Sequence, residues 1–205
     1  MKPSLSRTSY FRTGLFGFAV ALVLYFGVAS ADAKSRSVTM TFSGNGAFGS
    51  ALNLQYPNTT TIEENVAGNG DLGGFTLRNV TADSNSPAPD PPSSCSGGSL
   101  LFFARPAGAA ILRFEDGSLL NLTLTHGGDC IDLAAGTGHC TLSFQVSGGT
   151  GRFKNASGVL TYTETAVPVL ADDFGNPVFF DESGELRGTI SGVAFGDEDH
   201  DDGKW

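Results

Sequence analysis

The sequence predicts an all-β protein, in which roughly eight or nine strands close into a barrel or pack as a sandwich. Three observations predict it. Beyond residue 33, apolar residues recur with a period of two, the pattern of strands with one buried and one wet face. Helical periodicity is scarce, and only Thr60–Val66 offers a turn or two. The chain carries 28 glycines among β-branched and aromatic runs, which supplies a turn residue between successive strands.

The first element is an address. Lys2, Arg7 and Arg12 make a positive start, Gly14 to Val28 is apolar and uncharged, and Ala29-Ser30-Ala31 is a small-residue cleavage pattern. Residues 1–31 therefore read as a signal peptide, with Ala31-Asp32-Ala33 as a second cleavage choice. The apolar run is shorter than the ~20 residues that span a bilayer, so an exported, secreted or periplasmic protein with no stable membrane anchor is expected. Residues 32–196 then form one barrel-sized domain, and 197–205 an acidic tail.

Strands follow in order. Val38, Met40 and Phe42 alternate with Thr39 and Thr41; Phe75 and Leu77 alternate with Thr76 and Arg78. Residues 84–99 interrupt the series with Pro87, Pro89, Pro91 and Pro92 among serines, too rich in proline for a central strand and expected as a surface excursion. Leu100–Ala104, Ala109–Glu115 and Ser118–His126 come next, with Asp116-Gly117 as a hairpin signal between the last two. Leu142, Phe144 and Val146 alternate with polar neighbours, and Ser157–Ala166, Val178–Asp181 and Glu185–Val193 complete the set.

Between two of these strands lies the run Gly148-Gly149-Thr150-Gly151-Arg152-Phe153-Lys154-Asn155-Ala156-Ser157-Gly158. It reads as a tight corner. Glycines take conformations closed to other residues, Phe153 plugs the interior, and Arg152 and Lys154 stay in solvent. The run resembles the GGTGxFxxAxG corner of the dirigent and allene oxide cyclase-like barrels, including secreted bacterial proteins. That resemblance is clearest from Ala109 to Val193, through Asp116-Gly117-Ser118-Leu119-Leu120 and Thr189-Ile190-Ser191-Gly192. It implies one small antiparallel β-barrel of the calycin or allene oxide cyclase-like kind, with about eight strands, in preference to a sandwich. It further implies a small apolar ligand held inside, with any catalysis arising from confinement. No pocket residue of the family can be matched here, so no catalytic residue is assigned.

Composition excludes several partners. Without Lys2, Arg7 and Arg12, nine basic residues face 21 acidic ones, a balance near −12. Such a surface repels nucleic acid and anionic lipid. Gly149-Thr150-Gly151 lacks the third glycine and following helix of a nucleotide site, and no P-loop, Gly-x-Ser-x-Gly elbow or His-Glu-x-x-His occurs. No cofactor is implied, and nothing demands an enzyme. Asp197, Glu198, Asp199, Asp201 and Asp202 with His200 lack the spacing of a calcium loop and read as a solvated tail. The Asn-x-Ser/Thr sequons at Asn58, Asn79, Asn121 and Asn155 matter only in a glycosylating host.

Three cysteines, Cys95, Cys130 and Cys140, permit one disulfide and one spare thiol. Cys130–Cys140 would pin the base of a hairpin and is the pairing expected; a bond from Cys95 to either is the alternative. His126, Cys130, His139 and Cys140 are zinc-type ligands, but their spacing fits no zinc pattern, and no metal site is expected. For ligand binding, His126 is in step with Leu120, Leu122 and Leu124, and Glu164 with Leu160 and Tyr162. If those faces are interior, His126, Tyr162 and Glu164 share one cavity. Three functions follow: a barrel binding a small hydrophobic molecule, an extracellular structural or interaction protein with a packed barrel, and an isomerase or cyclase-like enzyme.

Overall fold

Nine antiparallel strands make one sheet that closes on itself in a computed structural model, which describes residues 34–49 and 56–194. They are β1 (Arg36–Phe48), β2 (Thr59–Gly70), β3 (Phe75–Ser84), β4 (Leu100–Ala104), β5 (Ala107–Phe114), β6 (Leu119–Asp132), β7 (Thr137–Gly149), β8 (Ser157–Ala171) and β9 (Pro177–Ser191). Eight of them close the barrel: β1 pairs with β2 and β9, β2 with β3, β3 with β5, β5 with β6, β6 with β7, β7 with β8, and β8 with β9. The ninth, β4, pairs with the second half of β6 from Gly128 to Asp132, whereas β5 takes the first half from Leu119 to Thr123. The expected all-β barrel is the fold. The expected signal peptide, 1–31, and the expected acidic tail, 197–205, lie outside the described residues. Among the described residues no helix is long and apolar enough to cross a membrane.

Several strands run further than the sequence reading, β6 to Asp132 and β8 to Ala171 among them, and two elements differ in kind. Thr60–Val66 belongs to strand β2, because Ile62, Glu64 and Val66 face inward on a register fixed by β1 and β3. Helical spacing in a short run does not compete with two flanking ladders. Val178–Asp181 and Glu185–Val193 merge into one strand, β9, which ends at Ser191 and is paired on both sides across Glu182–Gly184.

The two ends of the barrel differ. At one end the connections are short: residues 71–74, the Glu115–Ser118 turn, and the corner from Gly148 to Asn155. The Asp116-Gly117 hairpin is present. Gly117 takes φ 78°, and Asp116 Oδ1 accepts the Ser118 amide at 2.8 Å. Above this floor the inward side chains Met40, Leu112, Leu120, Leu122, Leu142, Phe144, Leu160 and Leu186 are sealed from water and fill the barrel. Small barrels of this strand number have an interior just wide enough for side chains to fill.

The corner supplies the plug. Phe153 is fully buried, with its ring 4.7 Å from that of Phe114. Gly151 has φ 56°, and a side chain there would strike Ser118. Gly148 and Gly158 also have positive φ, and Gly149 is pressed against the Leu119 backbone. Lys154 is exposed as expected, but Arg152 is not free in solvent. Its guanidinium lies over both Phe114 and Phe153, at 4.9 and 4.7 Å, donates to the Leu72 carbonyl, and pairs with Asp116 at 3.1 Å. Aromatic faces attract the planar cation more strongly than a wet corner does.

At the other end a long connection, residues 85–99, lies beside the short turns 133–136 and 172–176. The excursion after β3 is strapped down: Ala88 donates to the Phe102 carbonyl, and Cys95, in a 3-10 turn at Ser93–Cys95, is bonded to Cys130. The disulfide therefore joins Cys95 to Cys130, and the expected Cys130–Cys140 bond is not made. Cys140 faces the interior opposite Asp129, while Cys130, one residue on, points the other way and meets Cys95 with Cα atoms 5.6 Å apart. A hairpin position alone does not put two side chains on the same face.

Candidate functional site

The inward rows of several strands change from apolar to charged at the same height. On β2 the row Ile62, Glu64, Val66 carries an acid; on β3, Leu77 is followed by Asn79 and Thr81; on β7, Phe144 and Leu142 give way to Cys140. On β8, Leu160 is followed by Tyr162 and Glu164, and on β9, Leu186 lies beyond Glu182. The three glutamates have glycines as cross-strand partners: Glu64 lies against Gly46, Glu182 against Gly44, and Glu164 against Gly184. The space over these glycines is taken by neighbouring side chains, Phe180 at Gly46, Val66 at Gly44 and Phe42 at Gly184, which pack the layer closely.

Strand β6 joins this layer through a bulge. Leu124 pairs with Phe144 and His126 with Ser143, so Thr125 is an extra residue with no partner opposite it. The insertion inverts which residues face inward. Leu120, Leu122 and Leu124 face in before it, and Gly127 and Asp129 after it. Gly127 has φ 142°, and a Cβ there would collide with the Thr141 carbonyl, so the bulge needs glycine. Thr125 and His126 both face water, with the Thr125 hydroxyl 3.2 Å from His126 Nδ1 and donating to the Ser143 carbonyl at 2.8 Å. Counting by twos places His126 inside; the extra residue places it outside.

Arg105, in the two-residue link between β4 and β5, is the hub. Its side chain is 2% exposed. Nε and Nη2 donate to Asp129 Oδ2 and Oδ1 at 2.6 and 2.8 Å, a bidentate pair. Nη1 donates to Glu64 Oε1 at 2.6 Å and to Thr81 at 3.3 Å. Nη2 also stands 3.7 Å from Glu164 Oε1. Tyr162 donates to Glu164 Oε2 at 2.6 Å and contacts Glu182 Oε2 at 3.2 Å. Asn79 donates to Glu64 Oε2. Below, the Tyr162 ring stacks on Phe42 at 4.6 Å, which joins the charged layer to the apolar floor.

One guanidinium thus faces the buried carboxyls of Glu64, Asp129, Glu164 and Glu182, with Asp83 at the margin. Burial is costly for each charge. It pushes Glu64, Asp83 and Glu182 up to about 7, Arg105 pulling the other way in each case. Glu164 is raised well above the usual carboxylate range, by burial and then by its hydrogen bond with Glu182. Burial raises the Tyr162 hydroxyl and the Cys140 thiol, so both stay protonated. For Arg105, burial works against the charge, but Asp129 and the other acids outweigh it and its pKa rises. The layer can hold and share protons, and it can attract a cation.

Of the three residues read from the sequence as one cavity, the structure brings together Tyr162 and Glu164 and leaves His126 on the outer surface. His139 also faces outward, 3.1 Å from Thr165, beside a shallow exterior groove. The four zinc-type ligands are split: Cys130 is in the disulfide, Cys140 is interior, and both histidines are outside. Glu64, Asp129, Glu182 and Arg105 were not anticipated. Glu64 and Glu182 were legible as continuations of inward rows, had β2 and β9 been read as single strands. Asp129 was hidden by the bulge, and Arg105 had only its place between two apolar runs as a signal.

No family model matches the chain, and no curated protein matches it. Among solved structures, that of a pterocarpan synthase dirigent protein is similar to 88% of this chain and 99% of its own, at 12% identity and a TM-score of 0.25. No residue role of that protein is carried across on so loose a superposition. What defines the site is its own geometry: four buried carboxyls and one arginine at the long-loop end of a closed barrel.

Proposed function

We propose that this chain is an exported binding protein that uses the charged layer to take a small polar or cationic ligand, with the apolar half of the barrel as a structural floor. The observation that carries this reading is the charge imbalance around Arg105. Three carboxyls on three strands, those of Glu64, Asp129 and Glu164, pair with one cation, and a fourth, Glu182, adjoins them through Tyr162 with its Oε1 accepting no hydrogen bond from an N–H or hydroxyl among the described residues. Replacing such groups by apolar ones of similar size is often neutral or stabilising, so stability alone gives no reason to keep them. Barrel mouths are common ligand sites, and this layer lies at the long-loop end.

The ligand differs from the apolar molecule that the sequence suggests. Leucines, Phe144 and Met40 already occupy the apolar interior, which favours a small guest at the polar layer. Export is supported by the basic, apolar and small-residue N-terminal segment and by the Cys95–Cys130 bond, since such bonds persist in oxidising compartments. The resemblance of the Gly148–Gly158 corner to dirigent and allene oxide cyclase-like barrels, secreted bacterial ones included, supports the same compartment.

The filled core favours a second reading, a purely structural barrel whose acids only anchor Arg105. Thermal unfolding of the Glu182→Gln variant at pH 8, with chelator and no added ligand, separates the two. Glutamine keeps an acceptor for Tyr162 and removes a charge. A binding layer predicts a Tm above wild type, because sites kept for function cost stability. A Tm several degrees below wild type would mean that Glu182 is needed for the fold and would overturn the proposal.

A further inference from the structure

We infer that Glu64, Glu164 and Glu182, with Asn79 beside them, form a binding site for a hard divalent cation of the calcium type. The inference rests on the charged layer being a binding site and names its occupant.

The geometry comes first. One carboxylate oxygen from each of Glu64, Glu164 and Glu182 can be chosen so that all three lie within 4.8 Å of one another. They come from β2, β8 and β9, so the oxygens converge across the barrel from separate strands. That spread is within reach of a single ion bound to oxygens at roughly 2.3–2.6 Å, the calcium range.

Unused acceptors come second. Asn79 Oδ1 is buried and has no hydrogen-bond partner among the described residues, and Glu182 Oε1 has none once the proton its carboxyl can share with that of Glu164 is lost. Asn79 lies against the cluster, since its amide nitrogen donates to Glu64. A carboxamide oxygen and a carboxylate oxygen without donors are the acceptors a metal ion would use, and leaving them bare in the interior is costly.

Charge and chemistry select the ion. When the four central carboxyls are ionised, they exceed Arg105 by three negative charges, and a divalent ion removes two. All the donors are oxygens, which suit calcium, magnesium or manganese ahead of zinc or copper. The three glutamates are at most 4% exposed, which leaves little place for the waters magnesium retains. The neighbouring trio Asp129, Cys140 and Glu164 offers one sulfur, a thiol that burial keeps protonated, and so suits a hard ion less well than three carboxylates do.

The full chain, stripped with chelator, would be titrated with calcium chloride at pH 8 by calorimetry and by thermal unfolding, with magnesium and zinc in parallel. The expected result is saturable binding of one ion and a Tm rise of several degrees, with magnesium weaker by tenfold or more. Glu182→Gln, judged folded by its own melting transition, should lose at least tenfold in calcium affinity. Removal of residues 197–205 should leave the affinity unchanged. Absence of saturable calcium binding, affinity unaltered in Glu182→Gln, or binding lost with the tail would each overturn the inference. If calcium fails to bind while Glu182→Gln is still more stable than wild type, the binding layer stands and only its occupant is wrong.

Discussion

Arg105 and Asp129 meet through two hydrogen bonds, at 2.6 and 2.8 Å, at the place where β6 changes neighbour from β5 to β4. The link that carries Arg105 passes between those two neighbours, so the pair ties it to β6 where one ladder gives way to the other. Arg105 also donates its amide to the Gly127 carbonyl at 3.0 Å, which ties the link to the bulge itself.

Replacing Arg105 by methionine should therefore be severe at pH 8. Removing one partner from a buried ionic group costs about 3–5 kcal/mol. At pH 5 the acids it faces can take up protons, and the loss should be smaller. Chemical denaturation of wild type and Arg105→Met at both pH values tests this; an equal loss at each would mean that packing, not charge, is at stake.

Metal-free wild type should itself lose stability as pH rises from 5 to 8. Glu64, Asp83 and Glu182 are raised from the usual carboxylate range to about 7, so the folded chain binds more protons than the unfolded one in that window. Their contribution is fully present below the unfolded values of about 4 and is lost as pH passes the folded ones. Arg105, Asp129, Cys140, Tyr162 and Glu164 face the same layer, and of these Arg105 opposes the trend by favouring ionised acids. Each tenfold difference in proton affinity between the folded and unfolded chain corresponds to about 1.4 kcal/mol. A fall in Tm of several degrees is therefore expected in chelator, read by calorimetry.

The disulfide should be Cys95–Cys130, with Cys140 unreactive until the barrel unfolds. Non-reducing peptide mapping checks the pairing, and thiol labelling with and without denaturant checks the buried sulfur. Because the bond closes a loop with a sequence separation of 35, Cys95→Ser should cost about 3–4 kcal/mol on the chain-entropy account.

At the opposite end, Phe153→Ala should cost about 3–5 kcal/mol, the usual cost of emptying a fully buried aromatic site. It also removes one of the two rings under Arg152, so Arg152→Ala made in the Phe153→Ala background should cost less than it does alone. A double-mutant cycle in denaturant measures that coupling.

The bulge should be intolerant of a side chain. Gly127→Ala combines φ 142° with a collision at the Thr141 carbonyl, and a loss of about 1–3 kcal/mol or more is expected by denaturant unfolding.

The architecture was legible because period-two alternation survives in nearly every strand, and the corner was legible because Phe153 is a lone aromatic among glycines. The disulfide was not, since pairing Cys130 with Cys140 ignored the parity that sends them to opposite faces. A third of the charged layer was visible: of Glu64, Arg105, Asp129, Tyr162, Glu164 and Glu182, only Tyr162 and Glu164 continue a row, that of Leu160, read from the sequence. The rest depended on long-range events. One inserted residue at Thr125 sent His126 out and Asp129 in, and the placement of Arg105 depends on which neighbour β6 has at each point along its length.

That inserted residue divides the molecule into two regions with separate duties. Below Thr125, substitutions act on whether the chain folds, because each inward position is an interlocked apolar contact. Above it, the inward parity of β6 is shifted while the rows of β2, β8 and β9 run on, and the layer at that height carries polar groups whose identity the floor does not dictate. The rim can therefore change its chemistry, acid by acid, without renegotiating the packing that makes the barrel fold.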